Sequence, residues 1–362
     1  MMGQEHLRNI ALLPHTQVSV IFEPDAHMRS EARTHAPHAV FVDSLTDLLA
    51  YTPLSALVIT SPNHVHAEQI RHITRSVTLP ILLEKPAATC LADVASLKQI
   101  AASYPAPIWT AMEYRYMPVI AQLIEQAHAA SDTGGTTMLS IREHRYPFLN
   151  KVGDWNRFNA NTGGTLVEKC CHFFDLMRLI IGADPIRLYA SGGLSHNHAD
   201  ERYDGLQPDI LDNAFVVLDF ASGQRAMLEL CMFAEGSRYQ EAVTVIGPKG
   251  KLECLVPGPG RFWPTQLGDA PVAQLIVSPR DSLASGGPRA LNIPVDPALL
   301  AAGDHNGSTF YQHQQFAAVV RGQGSVAVSL TDGLKAVLIG LAAEHSCKTG
   351  LAVDLRQGEY AL

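Results

Sequence analysis

The constraint that most narrows the fold is the regular alternation of short apolar runs with helical stretches over the first 115 or so residues. Runs at 18–22, 56–60, 80–83 and 108–111 are rich in β-branched and aromatic residues and end in polar or turn residues. Helical segments fall between them near 44–50, 64–74 and 91–103. Strand, helix, strand in repetition predicts parallel strands joined by crossover helices. Such sheets place their ligand sites at the carboxyl ends of the strands. After about residue 118 the pattern changes: a helix at 118–129 leads to a strand at 137–143, and Gly163-Gly164 opens a helix over 165–181. Strands then follow one another at 186–192, 213–220, 225–233, 242–247 and 251–255, two of them joined by the turn Ala221-Ser222-Gly223. Consecutive strands joined by turns predict a mostly antiparallel sheet. Residues 257–306, rich in Gly, Pro and Ala, read as a long irregular excursion, and helices at 308–321 and 331–347 close the chain. The expected class is α/β: a parallel-sheet domain over 1–117, and an α+β domain with a large open sheet over 118–362.

Composition removes several function classes. With 47% apolar and 17% charged residues the chain is not a disordered or solvating polymer. A net charge of −8 argues against a nucleic-acid partner, which asks for a basic footprint. No run of 18 apolar residues suggests a membrane span, and the first six residues do not read as a signal peptide. The six cysteines, at 90, 170, 171, 231, 254 and 347, form no C-x-x-C pair, so neither a zinc ribbon nor a disulfide framework is expected. A cytoplasmic setting is the default.

A dinucleotide fold needs a strand, a glycine-rich turn, and a helix whose amino end faces the pyrophosphate. Gly3 precedes a helical segment, and Glu23 lies 20 residues later at a strand tip, the spacing expected for the acid that binds the adenosine ribose. A carboxylate there accepts hydrogen bonds from ribose hydroxyls and repels a 2′-phosphate, favouring NAD over NADP. The alternative is a terminal glycine and a solvated loop acid. On the functional reading the first strand and two glycines of the fingerprint are missing, so the expectation is an amino-terminally truncated domain with weakened cofactor binding.

Four further segments carry a resemblance. They are Ser61-Pro62-Asn63-His64-Val65-His66, Glu84-Lys85-Pro86, Arg115-Tyr116-Met117-Pro118 and the stretch from Gly163 to Asp175 that contains Glu168 and His172. In this order, over nearly the whole chain, they resemble the Gfo/Idh/MocA oxidoreductases. The resemblance implies an amino-terminal Rossmann domain and a carboxyl-terminal domain with an open sheet whose outer face makes a homodimer or homotetramer. It implies NAD-dependent oxidation or reduction of a hydroxyl or ketone on a cyclic polyol, inositol-like, or a sugar. It also implies that Ser61, Asn63, His66, Glu84 and Lys85 lie along the cofactor with Gly3 and Glu23.

Read from their chemistry, Lys85 at a strand's carboxyl end polarises the reacting C–O bond. His172 takes the hydroxyl proton, with Glu168 four residues earlier on one helix face to orient it. The alternatives are a surface Lys85–Glu84 pair and a helix-surface Glu168–His172 pair. Glu168 stands where most relatives have aspartate. Arg115 either reaches substrate or forms a structural ion pair with Glu113 or another acid; His66 either lies at the nicotinamide ribose or simply starts a helix. Glu143, His144, Arg145 and Tyr146, with Lys151, Asp154, Trp155 and Asn156, form a polar, aromatic cluster suited to a sugar, of which His144, Tyr146, Trp155 and Asn156 are the candidate substrate contacts. One helix cannot aim Glu168, Cys170, Cys171 and His172 at one ion, so no metal is expected. Strands 213–220 and 225–233 are apolar at most positions, which asks for cover on both faces. Two other classes fit the same motifs: a glycosidase working by transient oxidation with tightly held NAD, and a non-catalytic sugar- or cofactor-sensing relative.

Overall fold

The computed structural model describes residues 2–362. Its first half runs α1 (Met2–Ala11), β1 (Val20–Phe22), α2 (Ala26–His35), β2 (Val40–Val42), α3 (Leu45–Ala50), β3 (Leu57–Ile59), α4 (His66–Ser76), β4 (Ile81–Leu83), α5 (Leu91–Ser103) and β5 (Ile108–Thr110), ending at α6 (Pro118–Ala129). All strand pairs here are parallel, as the crossover pattern requires. β1 pairs with β2, and β3, β4 and β5 form a second ladder; no strand among the described residues bridges β1 and β3. The short β2 and the helix α2 that precedes it are additions to the sequence reading. Asp25 caps α2 by accepting from the Met28 amide, and Val40-Phe41-Val42 is too brief to register as a periodic run.

The second half runs β6 (Met138–His144), α7 (Asn159–Thr162), α8 (Thr165–Glu168), α9 (Cys171–Ile181), β7 (Pro185–Gly193), β8 (Asn213–Phe220), β9 (Arg225–Cys231), β10 (Glu241–Ile246), β11 (Gly250–Val256), β12 (Gln274–Pro279), β13 (Arg289–Asn292), α10 (Pro297–Ala302), α11 (Ser308–Val320), α12 (Leu330–Thr349) and β14 (Val353–Asp354). The strands form one nine-stranded sheet in the order β13-β12-β11-β10-β6-β9-β8-β7-β14, antiparallel except for β6 beside β9. The stretch 257–306 is therefore less irregular than its composition suggests: β12 and β13 extend the sheet at one edge and α10 follows. The glycine and proline that read as loop lie between these elements, save Pro279, which closes β12, and Pro297, which opens α10.

The helix expected over 165–181 is two helices, broken at Lys169 and Cys170. The buried face of the sheet alternates cleanly, Ala214, Val216, Leu218 and Phe220 inward on β8, and packs on α6 and α12, with α9 in the same core. Ser329 and Asp332 form a capping box at the start of α12, and Gly350 ends it in the left-handed conformation. α12 contacts β5 and α5 on one side and β7, α8 and α9 on the other.

The amino-terminal helix is fastened at long range. Glu5 on α1 accepts hydrogen bonds from the His305 ring and the Thr309 hydroxyl, each at 2.8 Å, and from the Asp304 amide at 3.2 Å. Burial alone would raise Glu5, but these partners, led by the His305 charge, hold it at about 2. Removing one side of a buried ion pair leaves the other uncompensated. Glu5→Ala should lower the unfolding free energy at neutral pH by about 3–5 kcal/mol in urea titrations. The contribution of a depressed carboxyl is present above its unfolded value and lost as pH falls toward the folded one. The gap between wild type and variant should therefore narrow between pH 4.5 and about 2.

Candidate active site

The carboxyl ends of the parallel strands face the start of α9 and the end of β6. Gly3, in the first turn of α1, lies where an added Cβ would be 3.0 Å from Thr60 Oγ1, just beyond β3. This brings the helix amino end close against the strand end, the arrangement that cradles a pyrophosphate. Glu23 follows β1; one of its carboxylate oxygens accepts from the Asp25 amide at 2.9 Å, which fixes the side chain at the strand tip. Asn63 is buried, and its side-chain amide nitrogen has no partner. That orphaned donor, the tight Gly3 seat and the placed Glu23 fit a dinucleotide. His66 is fully buried, with one ring nitrogen 2.8 Å from the Pro86 carbonyl and the other 2.9 Å from that of Ser61. Of the two readings of His66, this is a helix-start histidine tying two strand-end loops together. Ser61 bonds Gln69 through its hydroxyl.

Glu84 and Lys85 leave β4 toward opposite partners. Glu84 accepts from the His6 ring at 2.9 Å, and His6 touches His313 at 2.7 Å. Lys85 is not a surface partner of Glu84: its ammonium donates to the backbone carbonyl of Glu168 at 3.1 Å. Burial opposes its charge, but Cys171, Glu113, Glu84 and Glu168 around it raise the pKa, so it stays protonated. His172 is buried and stacked on Tyr114, ring centroids 4.3 Å apart and 9° from parallel. Desolvation and the charges of Lys85, Lys169, His305 and Arg145 push its pKa well below the ordinary value, leaving a neutral imidazole.

The expected Glu168–His172 pair is corrected. The break at Lys169 and Cys170 changes the helical phase, and the carboxylate against the imidazole is Glu113, with Oε1 3.5 Å from Nε2. Glu113 follows β5 and gave no sequence signal beyond its proximity to Arg115. Both its oxygens are buried without a hydrogen-bond partner. Burial and the Glu84 charge raise it to about 7. Glu168 is buried too, with Oε2 unpartnered; burial raises it against the pull of Lys85, Lys151, Arg145 and Arg157.

Arg115 takes the ion-pair alternative, but with Asp175 rather than Glu113, through two hydrogen bonds of 2.5 Å. The bidentate pair ties the turn after β5 to α9 and occupies Asp175 fully. Around the opening, His144 bonds Glu229 at 2.8 Å, Tyr146 lies on Phe262 with Arg145 over its ring, and Trp155 meets His64 edge-on with centroids 5.9 Å apart. Asn156 is buried and donates to the Leu149 carbonyl, its own carbonyl oxygen unpartnered. Behind Tyr114 lies a second buried cluster: Lys169 bonds Tyr114 at 2.5 Å and Glu143 at 2.8 Å, and Tyr114 bonds Glu241 at 3.3 Å. Cys170 and Cys171 are packed in the core.

Together these features define a two-domain oxidoreductase with a dinucleotide site at the strand ends of one domain and a wall of the other facing it. The chain belongs to the Gfo/Idh/MocA oxidoreductases: residues 1–111 match that family's NAD-binding Rossmann fold and residues 134–355 its C-terminal alpha/beta domain. The uncharacterized oxidoreductase YrbE of Bacillus subtilis (strain 168) is 25% identical over 251 residues, 68% of this chain and 69% of that protein. Among solved structures, a levoglucosan dehydrogenase in complex with NADH superposes with a TM-score of 0.81 at 18% identity, covering 99% of this chain and 97% of that one. A provisionally assigned myo-inositol dehydrogenase from Sinorhizobium meliloti 1021 gives 0.75 at 18% identity, covering 98% and 96%.

The turn that opens the site depends on Gly164, whose φ of 98° is costly for any L side chain. An added Cβ would also overlap the carboxylate of Glu344, which accepts from the Leu166 amide at 2.9 Å. Gly164→Ala should cost about 1–3 kcal/mol from backbone strain alone. Chemical denaturation should register a larger loss, because Glu344 must also move.

Proposed function

We propose that the protein transfers hydride between NAD and a hydroxyl or ketone carbon of a cyclic polyol, inositol-like, or a sugar. The observation that carries this reading is the convergence of a protonated lysine and a neutral histidine at the strand ends. Lys85 bonds the Glu168 carbonyl one turn before His172, and its charge is among those that keep His172 neutral. With the domains divided at 117/118, as we propose, the first of these groups belongs to the nucleotide half and the second to the substrate half.

In the oxidative direction the Lys85 ammonium donates to the reacting oxygen and stabilises the charge that develops on it. The neutral His172 ring removes the hydroxyl proton. The bound nicotinamide supplies the hydride acceptor. Glu168, with a free carboxylate oxygen, accepts a hydrogen bond from a second ring hydroxyl. Tyr146 and Trp155 offer ring faces to the C–H side of a sugar, His144 supplies a polar contact at the rim, and Asn156 offers its buried, unpartnered carbonyl oxygen. Gly3 and the α1 amino end hold the pyrophosphate, Glu23 the adenosine ribose, and Ser61 and Asn63 the nicotinamide ribose.

The test uses the purified full chain with NAD and a panel of myo-inositol, levoglucosan and D-glucose, read by NADH fluorescence. Net NADH formation with a free polyol supports the dehydrogenase. Cleavage of a glycoside without net NADH supports the transient-oxidation alternative, and binding without either supports a sensor. With the active polyol, His172→Ala and Lys85→Ala should each reduce kcat by about 10²- to 10⁴-fold while leaving NAD affinity within a few-fold.

The outer face of the large sheet is proposed as the contact with further copies of the chain. Tyr189, Phe215 and Val217 are 47%, 56% and 42% exposed on adjacent strands β7 and β8, and Met227 continues the patch on β9. Contiguous apolar surface of this kind marks an interface. Phe215→Glu combined with Val217→Glu should lower the mass measured by light scattering to that of a single chain, 39.2 kDa. Six free thiols suit the reducing cytoplasm, the compartment we assign.

A further inference from the structure

Proton removal by a buried base leaves a charge with no direct route to water. His172 is 2% exposed and its Nδ1 has no partner. A base in this position works repeatedly only if the proton it receives can leave. Glu113 stands at the one end of the ring that meets an acid. Its Oε1 is 3.5 Å from His172 Nε2 and 3.9 Å from His305 Nε2. The two histidines come from α9 and from the loop before α11, and Glu113 lies between them with neither oxygen hydrogen-bonded.

His305 continues the line outward. Its Nδ1 is held 2.8 Å from Glu5, and its side chain keeps 23% of its surface exposed. It lines a polar cavity of about 40 Å³ with Asp304, Asn306 and Tyr146, room enough for a water molecule.

We propose that Glu113 and His305 form a proton conduit through which the proton accepted by His172 leaves for the surface. The inference rests on the hydride-transfer reading only for the origin of that proton. The transfer balances: the hydroxyl O–H bond breaks as the imidazole Nε2–H bond forms, that proton passes to the ionised Glu113 Oε1, His305, protonated at rest, gives its own Nε2 proton to water, and the proton on Glu113 fills the vacated Nε2, so one proton reaches water for each one His172 accepts. Both relay groups act through His172 and neither touches substrate.

The charges around each group suit the sequence of steps. Glu113 is faced by Glu84 and Lys85 from the loop after β4, by His172 from α9 and by His305 from the loop before α11. Burial and the Glu84 charge set it at about 7, between proton acceptor and donor at neutral pH. His305 is faced by Glu5 from α1, by Glu113 and by Lys169; burial would lower it, but Glu5 raises it to about 9. His305 therefore rests protonated at neutral pH and takes the proton of Glu113 only as it passes its own to water.

The decisive measurement does not need turnover. In the full chain loaded with NAD and labelled with 15N-histidine, the His172 ring N–H should exchange quickly with water. Glu113→Gln, close to isosteric, should slow that exchange by about tenfold or more, since a positioned proton carrier is worth that much or more. His305→Phe should do the same from the far end, and added imidazole should restore exchange in His305→Ala. Unchanged exchange in both Glu113→Gln and His305→Phe overturns the conduit, whatever the enzyme's substrate. If a polyol is oxidised, the acidic limb of the kcat profile should fall near 7, where Glu113 protonates, and should vanish in Glu113→Gln. A limb unmoved by that substitution assigns the titration elsewhere and counts against the conduit. Absence of NADH formation from every polyol, with exchange still dependent on Glu113, refutes the dehydrogenase reading and leaves the conduit standing.

Discussion

A single buried ammonium organises the centre of this molecule. Lys85 emerges from a three-residue strand and crosses to the backbone carbonyl of Glu168, in the other half of the chain. A buried charge is tolerated only when opposite charges and acceptors surround it. That requirement explains the density of acids nearby: Glu84, Glu113 and Glu168 come from three separate elements, and none is an obvious surface residue once the chain folds. Burial, with the Lys85 charge beside it, also keeps His172 neutral. The polarity of the site is thus a consequence of where one lysine ends.

Around this centre polar, specific contacts join the halves beside the apolar packing of α12. Arg115 grips Asp175, and Glu5 collects three donors from the first turn of α11 and the segment before it. Each places a charge where little water reaches, so each works only in one register of the two halves. The two hydrophobic cores, one under the nine-stranded sheet and one under the β3–β5 ladder, each take in residues of both halves: Trp109 and Met117 join the first, Val167 and Leu334 the second.

Much of this was readable in the amino-acid sequence. The crossover rhythm of strands and helices, the switch to consecutive strands after residue 118 and the motif loops that carry Asn63, Lys85 and His172 follow from local pattern. What escaped depends on contacts between distant segments. Glu113 meets His172 because a turn after β5 and the start of α9 are packed together, and no spacing within either segment announces it. The break at Lys169 and Cys170 hides inside a run that reads as one helix, and it turns the expected Glu168–His172 partnership into two separate environments. β12 and β13 sit among glycines and prolines whose turn-forming tendency masks the short strands they connect; there, pairing with β11 decides the conformation. Arg115 was legible as charged and ambiguous as to partner, because the choice among neighbouring acids is made by tertiary geometry.

The seating of α12 bears on how the molecule moves. At Gly340 an added Cβ would stand 2.6 Å from the Leu166 carbonyl, and Gly333 is pressed as closely on Thr110 of β5. One long rod is therefore wedged against both halves at once, with no side chain to act as a spacer. Swinging the halves apart like the leaves of a book would pull the rod off one of its seats. Admission and release of a ligand are left to small sliding displacements along the rod, a shear in which packing is preserved throughout.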